Sequence, residues 1–121
     1  ITLELKMKYE NLEVWQRAFK LSLLIYKSFQ QLQDYGLKDQ MCRCSVSVPS
    51  NIAEGMERGF EKEKTRFLWI AKGSIGELKT QVMIASELGY INSLKAGYIL
   101  EECEVIAKML SRLITVIKNS S

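Results

Sequence analysis

The stretch LKAGYILEECEVIAKMLSRLITVI, residues 94–117, defines the predicted fold class most clearly. Its apolar residues recur at alternating steps of three and four, which is the period of one face of an α-helix. Ser93, directly before the stretch, is a suitable N-cap residue. The stretch therefore predicts a long amphipathic helix. Its core-facing stripe is formed by Ile99, Cys103, Ile106, Leu110, Leu113 and Ile117.

Three earlier stretches, residues 15–32, 42–56 and 67–85, show the same spacing of apolar and small side chains. Asn11 is a candidate N-cap of the first helix, and Gly36 is a candidate for the left-handed residue that ends it. Connections of only a few residues between four such helices place neighbouring helices antiparallel. The sequence thus predicts an all-α, antiparallel up-and-down four-helix bundle.

Two features should shape the inner helices. The second predicted helix contains the only proline of the chain, Pro49. The ring of Pro49 should clash with the carbonyl group of Ser45, and proline lacks a backbone N–H donor. We therefore expect a kink at Pro49 or a helix that restarts near it. In the third predicted helix, residues 71–76 are rich in small side chains, which would let a neighbouring backbone approach closely at some cost in helix propensity.

The composition is that of one globular domain without a disulfide framework. A chain of 121 residues with 47% hydrophobic and 26% charged residues fits a single domain. We expect residues 9–119 to form the bundle and residues 1–8 to be a flexible N-terminal extension. Three cysteines, an odd number, favour a reducing compartment. No apolar run reaches the roughly 18 residues of a membrane span, so we predict a cytoplasmic protein without membrane contact.

The residues that most enzymes use are missing or badly placed. The sequence has no histidine, which removes the commonest general base and the Glu-x-x-His ligands of di-iron bundles. Cys42 and Cys44 would point about 200° apart on a helix, so we interpret them as buried structural residues rather than a metal or redox pair. Glu101, Glu102 and Glu104 spread around a polar face and form no carboxylate pair. The sequence therefore predicts no catalytic site, no metal and no cofactor.

The last helix carries a second apolar row beside its core stripe, at steps of four, seven, four and seven residues. On the third helix, Trp69 also points away from the core stripe. A wide core face with scattered exposed apolar side chains would explain both features. The alternative is burial between the subunits of a homo-oligomer, because contiguous exposed apolar surface usually marks an interface. The residues predicted for such an interface are Trp69, Leu94, Tyr98, Val105, Met109 and Val116.

Polar and basic residues gather on the second and third helices. Asn51 and Glu54 face away from the core stripe, either simply towards water or as part of a polar network at a subunit contact or ligand surface. Residues 38–79 carry eight basic and six acidic side chains. A solvated surface explains this small excess as well as phosphate contacts do. The candidates for nucleic-acid contact are Arg43, Arg58, Lys62, Lys64, Arg66 and Lys72.

Four segments of the chain form a signature. They are YENLEVWQRA (9–18), YGLKDQM (35–41), PSNIAEG (49–55) and FLWIAKGSIGEL (67–78). Together they resemble the 23S rRNA-intervening-sequence proteins, a bacterial family, in the same order across roughly residues 9–117. The chain departs from the family pattern at Cys42 and Cys44, where such sequences more often carry basic or small residues.

The resemblance implies a four-helix bundle that assembles into a ring, with five subunits expected. It also implies a relationship to the accessory variability determinant of diversity-generating retroelements, a basic pentameric bundle that binds a reverse transcriptase and nucleic acid. We therefore predict a non-enzymatic, homo-oligomeric binding or assembly module with RNA or DNA as a candidate partner. A protein–protein scaffold without nucleic-acid contact is the alternative. A steep fall of binding affinity with salt concentration would favour nucleic-acid binding over the protein–protein scaffold, because counterion release makes nucleic-acid binding salt-dependent.

Overall fold

The structure, a computed structural model, describes residues 8–120. This part of the chain contains a single 3₁₀ turn followed by four α-helices, and no strand. The connections between the α-helices are only four to six residues long. The 3₁₀ turn spans Tyr9–Asn11, and the helices are α1 (Glu13–Ser28), α2 (Tyr35–Met56), α3 (Glu61–Glu87) and α4 (Ser93–Asn119). The predicted all-α four-helix bundle is confirmed. The predicted N-terminal extension lies, apart from residue 8, outside the described residues.

The four helices enclose one apolar core. Helix α2 packs against α1 and α3, and α4 packs against α3 and α1. Within residues 8–120, α1 does not contact α3, and α2 does not contact α4. Each helix therefore has two neighbouring helices and lies diagonally opposite the third. Burial of each large apolar side chain contributes roughly 1.5–3 kcal/mol. The largest fully buried side chains are Ile25, Phe29, Met41, Val48, Ile52, Leu68, Ile75, Leu78, Val82, Ile99, Ile106 and Leu110. None of the described helices is long and apolar enough to cross a membrane.

The core stripe of α4 follows the predicted positions over most of its length and then shifts by one residue. Leu113 and Ile117 are only half-buried, and Ile114 is buried instead. The prediction used a strict three-and-four alternation, which averages 3.5 residues per turn. A straight α-helix has 3.6 residues per turn and drifts about 20° per heptad from that pattern. The buried predicted positions are Ile99, Cys103, Ile106 and Leu110.

The first helix begins and ends differently from the prediction. Asn11 is the last residue of the 3₁₀ turn, and α1 starts after Leu12, whose apolar side chain cannot accept a capping hydrogen bond. Gly36 lies in the first turn of α2 and does not end α1. The reason is Asp34, whose Oδ1 accepts a hydrogen bond from the backbone N–H of Leu37 at 3.2 Å. An aspartate N-cap therefore starts the second helix before the glycine is reached.

The start of α4 also differs from the prediction, by one residue. Asn92 Oδ1 accepts a hydrogen bond from the backbone N–H of Lys95 at 2.8 Å, so Ser93 is the first helical residue and not the cap. In the connection before it, Gly89 has a φ of +76°. This left-handed conformation favours glycine, because glycine has no Cβ atom to clash with the backbone.

Helix α2 continues without interruption through Pro49. The alternative of a helix that restarts near this residue is therefore wrong. Proline costs about 3 kcal/mol in a helix interior, and the buried ring of Pro49 offsets part of that cost through packing. The kink at Pro49 and the antiparallel order of the four helices stay predictions.

Helices α2 and α3 approach closely at Gly55. A Cβ atom added to this glycine would lie 2.9 Å from Cβ of Phe67 and 3.1 Å from the backbone oxygen of Lys64. These distances are shorter than the roughly 3.5–4.0 Å at which carbon atoms pack. Glycine is therefore sterically required at position 55.

The predicted close approach along residues 71–76 is found only in part. Ala71 and Ser74 are buried, and Ser74 contacts α2. Gly73 and Gly76 are exposed, and a Cβ atom added to either would meet nothing within 4 Å. These two glycines therefore have no packing role within the described chain.

Candidate interaction surfaces

Two of the α4 glutamates form ion pairs between helices. Glu102 accepts hydrogen bonds of 3.1 and 3.3 Å from the Arg17 guanidinium of α1. Glu104 accepts a hydrogen bond from Lys79 of α3, which lowers the pKa of its carboxyl group. The carboxylates of Glu102 and Glu104 therefore connect α4 to its two neighbours. Among residues 8–120, no group of three or more histidine, cysteine, aspartate or glutamate side chains is placed to hold a metal.

The three cysteines are free thiols buried in the bundle. Cys44 donates a hydrogen bond to the backbone oxygen of Ser74 on α3, with an Sγ–O distance of 3.2 Å. Burial raises the pKa of Cys44 to about 11 and that of Cys103 to about 12, and it also raises the pKa of Cys42. Because the thiolate is the reactive form, these protonated thiols are poor nucleophiles and poor metal ligands. Their surroundings favour the structural interpretation.

The six basic residues predicted for nucleic-acid contact do not form one patch. Arg43 lies alone on the outside of α2, with its Nε atom 3.9 Å from Oδ2 of Asp39. Lys72 lies on α3 with its Nζ atom 5.3 Å from the centroid of the exposed Trp69 ring. The other four lie at the connection from α2 to α3 or in the first turns of α3. They are Arg58, Lys62, Lys64 and Arg66.

This connection forms a basic and aromatic cluster. The guanidinium carbons of Arg58 and Arg66 lie 5.0 and 4.9 Å from the centroid of the Phe67 ring, within cation–π range. Arg58 also pairs with Glu54 at 2.7 Å, and Arg66 pairs with Glu63 at 3.5 Å. Ion pairs between exposed side chains contribute about 0–1 kcal/mol. These pairs therefore add little to the stability of the fold, and the side chains of Arg58 and Arg66 stay 45% and 58% exposed.

The same cluster presents an exposed ring but no net charge. Phe60 lies between the two arginines in the sequence and is 77% exposed. Residues 54–66 carry four basic and four acidic side chains. Attraction of an anion would therefore depend on local contacts and not on a broad positive field.

The two polar signature residues have different surroundings. Asn51 Nδ2 donates hydrogen bonds to the backbone oxygen of Ser47 at 2.8 Å and to its Oγ at 3.0 Å. Ser47 Oγ in turn shares a hydrogen bond of 2.9 Å with Ser74 Oγ on α3. Asn51 is therefore part of a polar network within the chain that joins α2 to α3. Glu54 is exposed and pairs with Arg58.

The predicted apolar row on α4 is exposed at its ends and half-buried in its middle. Leu94 is 87% exposed, Tyr98 is 62% exposed, and Val116 is also exposed. Val105 and Met109 are half-buried, and Met109 packs against the core. The two most exposed members therefore lie at the start of α4.

A further exposed apolar surface, which the sequence did not predict, lies between α1 and α2. Phe19, Leu23 and Tyr26 recur on α1 at steps of four and three, beside the core stripe, and each is about half exposed. Their spacing is the same kind of signal as the second row on α4, but the partner residues on α2 lie more than 20 positions away. We call this surface the α1–α2 groove. It is lined by Tyr9, Trp15, Phe19, Ser22, Leu23, Val46, Pro49, Ser50 and Ala53.

Fold and surfaces together define an all-α four-helix bundle with large apolar side chains on the outside of more than one helix. The chain belongs to the family of 23S rRNA-intervening sequence proteins, whose sequence profile matches residues 10–112. A crystal structure of a protein of unknown function from the S23 ribosomal protein family of Bacteroides thetaiotaomicron has the same fold, with a TM-score of 0.79 and 20% sequence identity. The alignment covers 84% of this chain and 97% of that one. No functionally curated protein matches the sequence.

Proposed function

We propose that the protein is a homo-oligomeric assembly and binding module without catalytic activity. The supporting observation is that many large apolar side chains are exposed outside the core, above all Leu94 and Tyr98 on α4. Monomeric proteins rarely expose contiguous apolar patches larger than a few hundred Å². Burial between subunits would gain roughly 25 cal/mol for each Å² removed from water. With the family resemblance, a ring of five subunits is the expected assembly.

Light scattering at several protein concentrations tests this proposal. We expect a wild-type particle several times heavier than the 13.9 kDa chain. The double variant Leu94→Glu/Tyr98→Glu should have the mass of one chain and an unchanged helical circular dichroism spectrum, because both side chains are exposed in the subunit. The control Tyr35→Glu changes an equally exposed aromatic residue at the start of α2 and should leave the particle intact. A wild-type mass of one chain at every concentration would contradict the proposal.

Single-stranded nucleic acid is a second candidate partner. The observation that favours it is the cluster of Arg58, Arg66 and Phe67 with the exposed ring of Phe60 nearby in the chain. Proteins that bind single strands combine cations along the backbone with aromatic side chains that stack on bases. The balanced charge of residues 54–66 argues for modest affinity. A protein partner, in the alternative role of a protein–protein scaffold, also stays a prediction.

Fluorescence anisotropy with a labelled single-stranded RNA at increasing salt tests the second candidate. Each phosphate contact contributes about 0.7 to the slope of log K against log salt concentration for single strands. The Arg58→Glu/Arg66→Glu variant should therefore bind more weakly and reduce that slope by about 1.4. Lys95→Glu/Lys108→Glu, an equal change of charge on α4, should have a smaller effect. Equal loss in both variants, or no binding of RNA at all, would leave the protein scaffold as the better explanation.

A further inference from the structure

A polar cleft of about 430 Å³ lies between α2 and α3, a volume in the range of small-molecule sites. Its floor is already hydrogen-bonded, because Ser47 Oγ pairs with Ser74 Oγ and the Cys44 thiol donates to the backbone oxygen of Ser74. The amide and charged side chains around this floor are therefore the groups that a ligand would meet. We call this surface the α2–α3 cleft. It is lined by Gln40, Arg43, Cys44, Ser47, Ser74, Glu77 and Gln81.

The α3 wall of the cleft offers hydrogen-bond acceptors. Glu77, which is exposed, and Gln81 are four positions apart, so their side chains are neighbours on one face of the helix. Oε1 of Gln81 is buried and accepts no hydrogen bond within residues 8–120, and an acceptor in that state costs free energy. Because the Gln81 side chain as a whole is only partly buried, a rotation of its amide group can turn the oxygen towards a donor. This wall therefore suits a ligand with two adjacent N–H donors.

The α2 wall carries a cation. The Arg43 side chain is 82% exposed, with its Nε atom 3.9 Å from Oδ2 of Asp39. Exposed pairs of this kind contribute little, so an acceptor of a ligand can replace Asp39 at little cost. Arginine commonly reads the O6 and N7 acceptors of guanine, and guanine also has two adjacent donors, N1–H and N2–H, that a carboxylate can accept. The two walls of the cleft therefore match the two edges of a guanine base.

The cleft lies on the same side of α2 and α3 as the basic and aromatic cluster. On α2, positions 40, 44, 47, 51 and 58 follow at steps of four, three, four and seven. On α3, positions 66, 70, 74, 77 and 81 follow at steps of four, four, three and four. Such steps place each set on one side of its helix. Arg66 and Glu77 are therefore separated along α3 by roughly 16 Å at 1.5 Å per residue, which a few nucleotides span.

We infer that the α2–α3 cleft binds a guanine base of a single strand whose neighbouring phosphates contact Arg58 and Arg66. Sequence-specific RNA recognition commonly uses hydrogen bonds to the edges of unstacked bases. The cleft has no aromatic ring among its lining residues, so recognition depends on these hydrogen bonds. The site rests on single-stranded nucleic acid as the second candidate partner and adds which base is recognised and where.

Fluorescence anisotropy with three labelled RNAs of equal length tests the site. One is oligouridine, and the other two carry a single guanine or a single adenine at the centre. The wild type should bind the guanine-containing RNA about tenfold more tightly than the other two, because a good bidentate contact discriminates by about this factor.

Two matched variants locate the preference. Glu77→Gln keeps the size of the side chain but replaces one acceptor oxygen by a donor. It should abolish the preference for guanine, while oligouridine binds at least as tightly as to the wild type because one negative charge is removed. Glu101→Gln makes the same change at an exposed residue of α4 and should keep the preference. Circular dichroism checks that both variants are folded.

The outcomes separate the guanine site from the candidate function on which it rests. No binding of any RNA would overturn both. Equal binding of the three RNAs by the wild type would overturn only the guanine site, and so would a preference that survives in Glu77→Gln.

The link between the cleft and the cluster has its own test. Arg58→Glu/Arg66→Glu should weaken the binding of all three RNAs and keep the ratio between them. Free guanosine monophosphate should displace the guanine-containing RNA only at a much higher concentration than unlabelled RNA does, because it lacks the contacts at the two arginines. Equally effective competition by the free nucleotide would overturn the link.

Discussion

Replacement of Gly55 by alanine should destabilise the fold by about 1–2 kcal/mol, although alanine is the better helix former. The new methyl group would lie 2.9 Å from Cβ of Phe67 and 3.1 Å from the backbone oxygen of Lys64. Both atoms are fixed to the backbone of α3, so α2 and α3 must move apart to admit it. Overpacking typically costs about 1–3 kcal/mol, while alanine gains only about 1 kcal/mol over glycine in a helix. Gly55→Leu should be more damaging still.

Urea unfolding followed by circular dichroism measures this effect, at one fixed protein concentration because assembly would add to the apparent stability. Gly97→Ala is the matched control. Gly97 is an exposed residue within α4, and a Cβ atom there would meet nothing within 4 Å. This control should stabilise the protein by about 0.5–1 kcal/mol. A Gly55→Ala variant as stable as Gly97→Ala would show that the close approach of α2 and α3 is not rigid.

The free energy of unfolding should fall as the pH rises from about 9 towards 12, with Cys103 as a main cause. Burial raises the pKa of this thiol from its ordinary 9.0 to about 12. Between these values the thiol stays protonated in the folded protein but ionises in the unfolded chain, which stabilises the unfolded chain. The contribution is fully present below pH 9 and is lost by pH 12. The slope for one such group reaches about 1.4 kcal/mol per pH unit.

The Cys103→Ala variant isolates this contribution. It should be less stable than the wild type near pH 8, because a buried sulfur atom is removed, but its stability should fall less steeply above pH 9. Urea unfolding of both proteins at pH 9, 10 and 11 gives the two slopes. Parallel slopes would mean that Cys103 is not buried in the folded protein or does not titrate in this range.

The sequence predicted the secondary structure well because helix periodicity is a local property. The helix period of 3.6 residues per turn is enough to predict that Ile99, Cys103, Ile106 and Leu110 lie on one face and pack against an apolar core. Helix ends were predicted poorly. Asn92 caps the last helix in place of Ser93. Asp34 caps the second helix, so that Gly36 lies inside its first turn, and Asn11 lies in a 3₁₀ turn instead of capping the first helix.

The candidate surfaces were predicted unevenly for a related reason. The apolar row on α4 lies on one helix, so its spacing was visible, and Leu94 and Tyr98 are indeed exposed. The α1–α2 groove needs Phe19 and Val46 together, which are 27 positions apart in the chain. Among the six basic residues, Arg58 and Arg66 lie over the same ring, that of Phe67, which their spacing in the sequence did not reveal.

The sequence by itself determined that the chain forms four helices, which residues form most of their core and which catalytic residue types are lacking. These properties depend on local backbone geometry and on composition. Only the tertiary structure decided that α3 approaches α2 closely at Gly55. It also decided that Asn51 is hydrogen-bonded to Ser47 in a network that includes Ser74. The guanidinium groups of Arg58 and Arg66 both lie over the ring of Phe67, which is likewise a result of the tertiary structure. The physical reason is that contacts between helices depend on the rotation and spacing of whole helices, which are set by the summed packing of the core and not by any one segment.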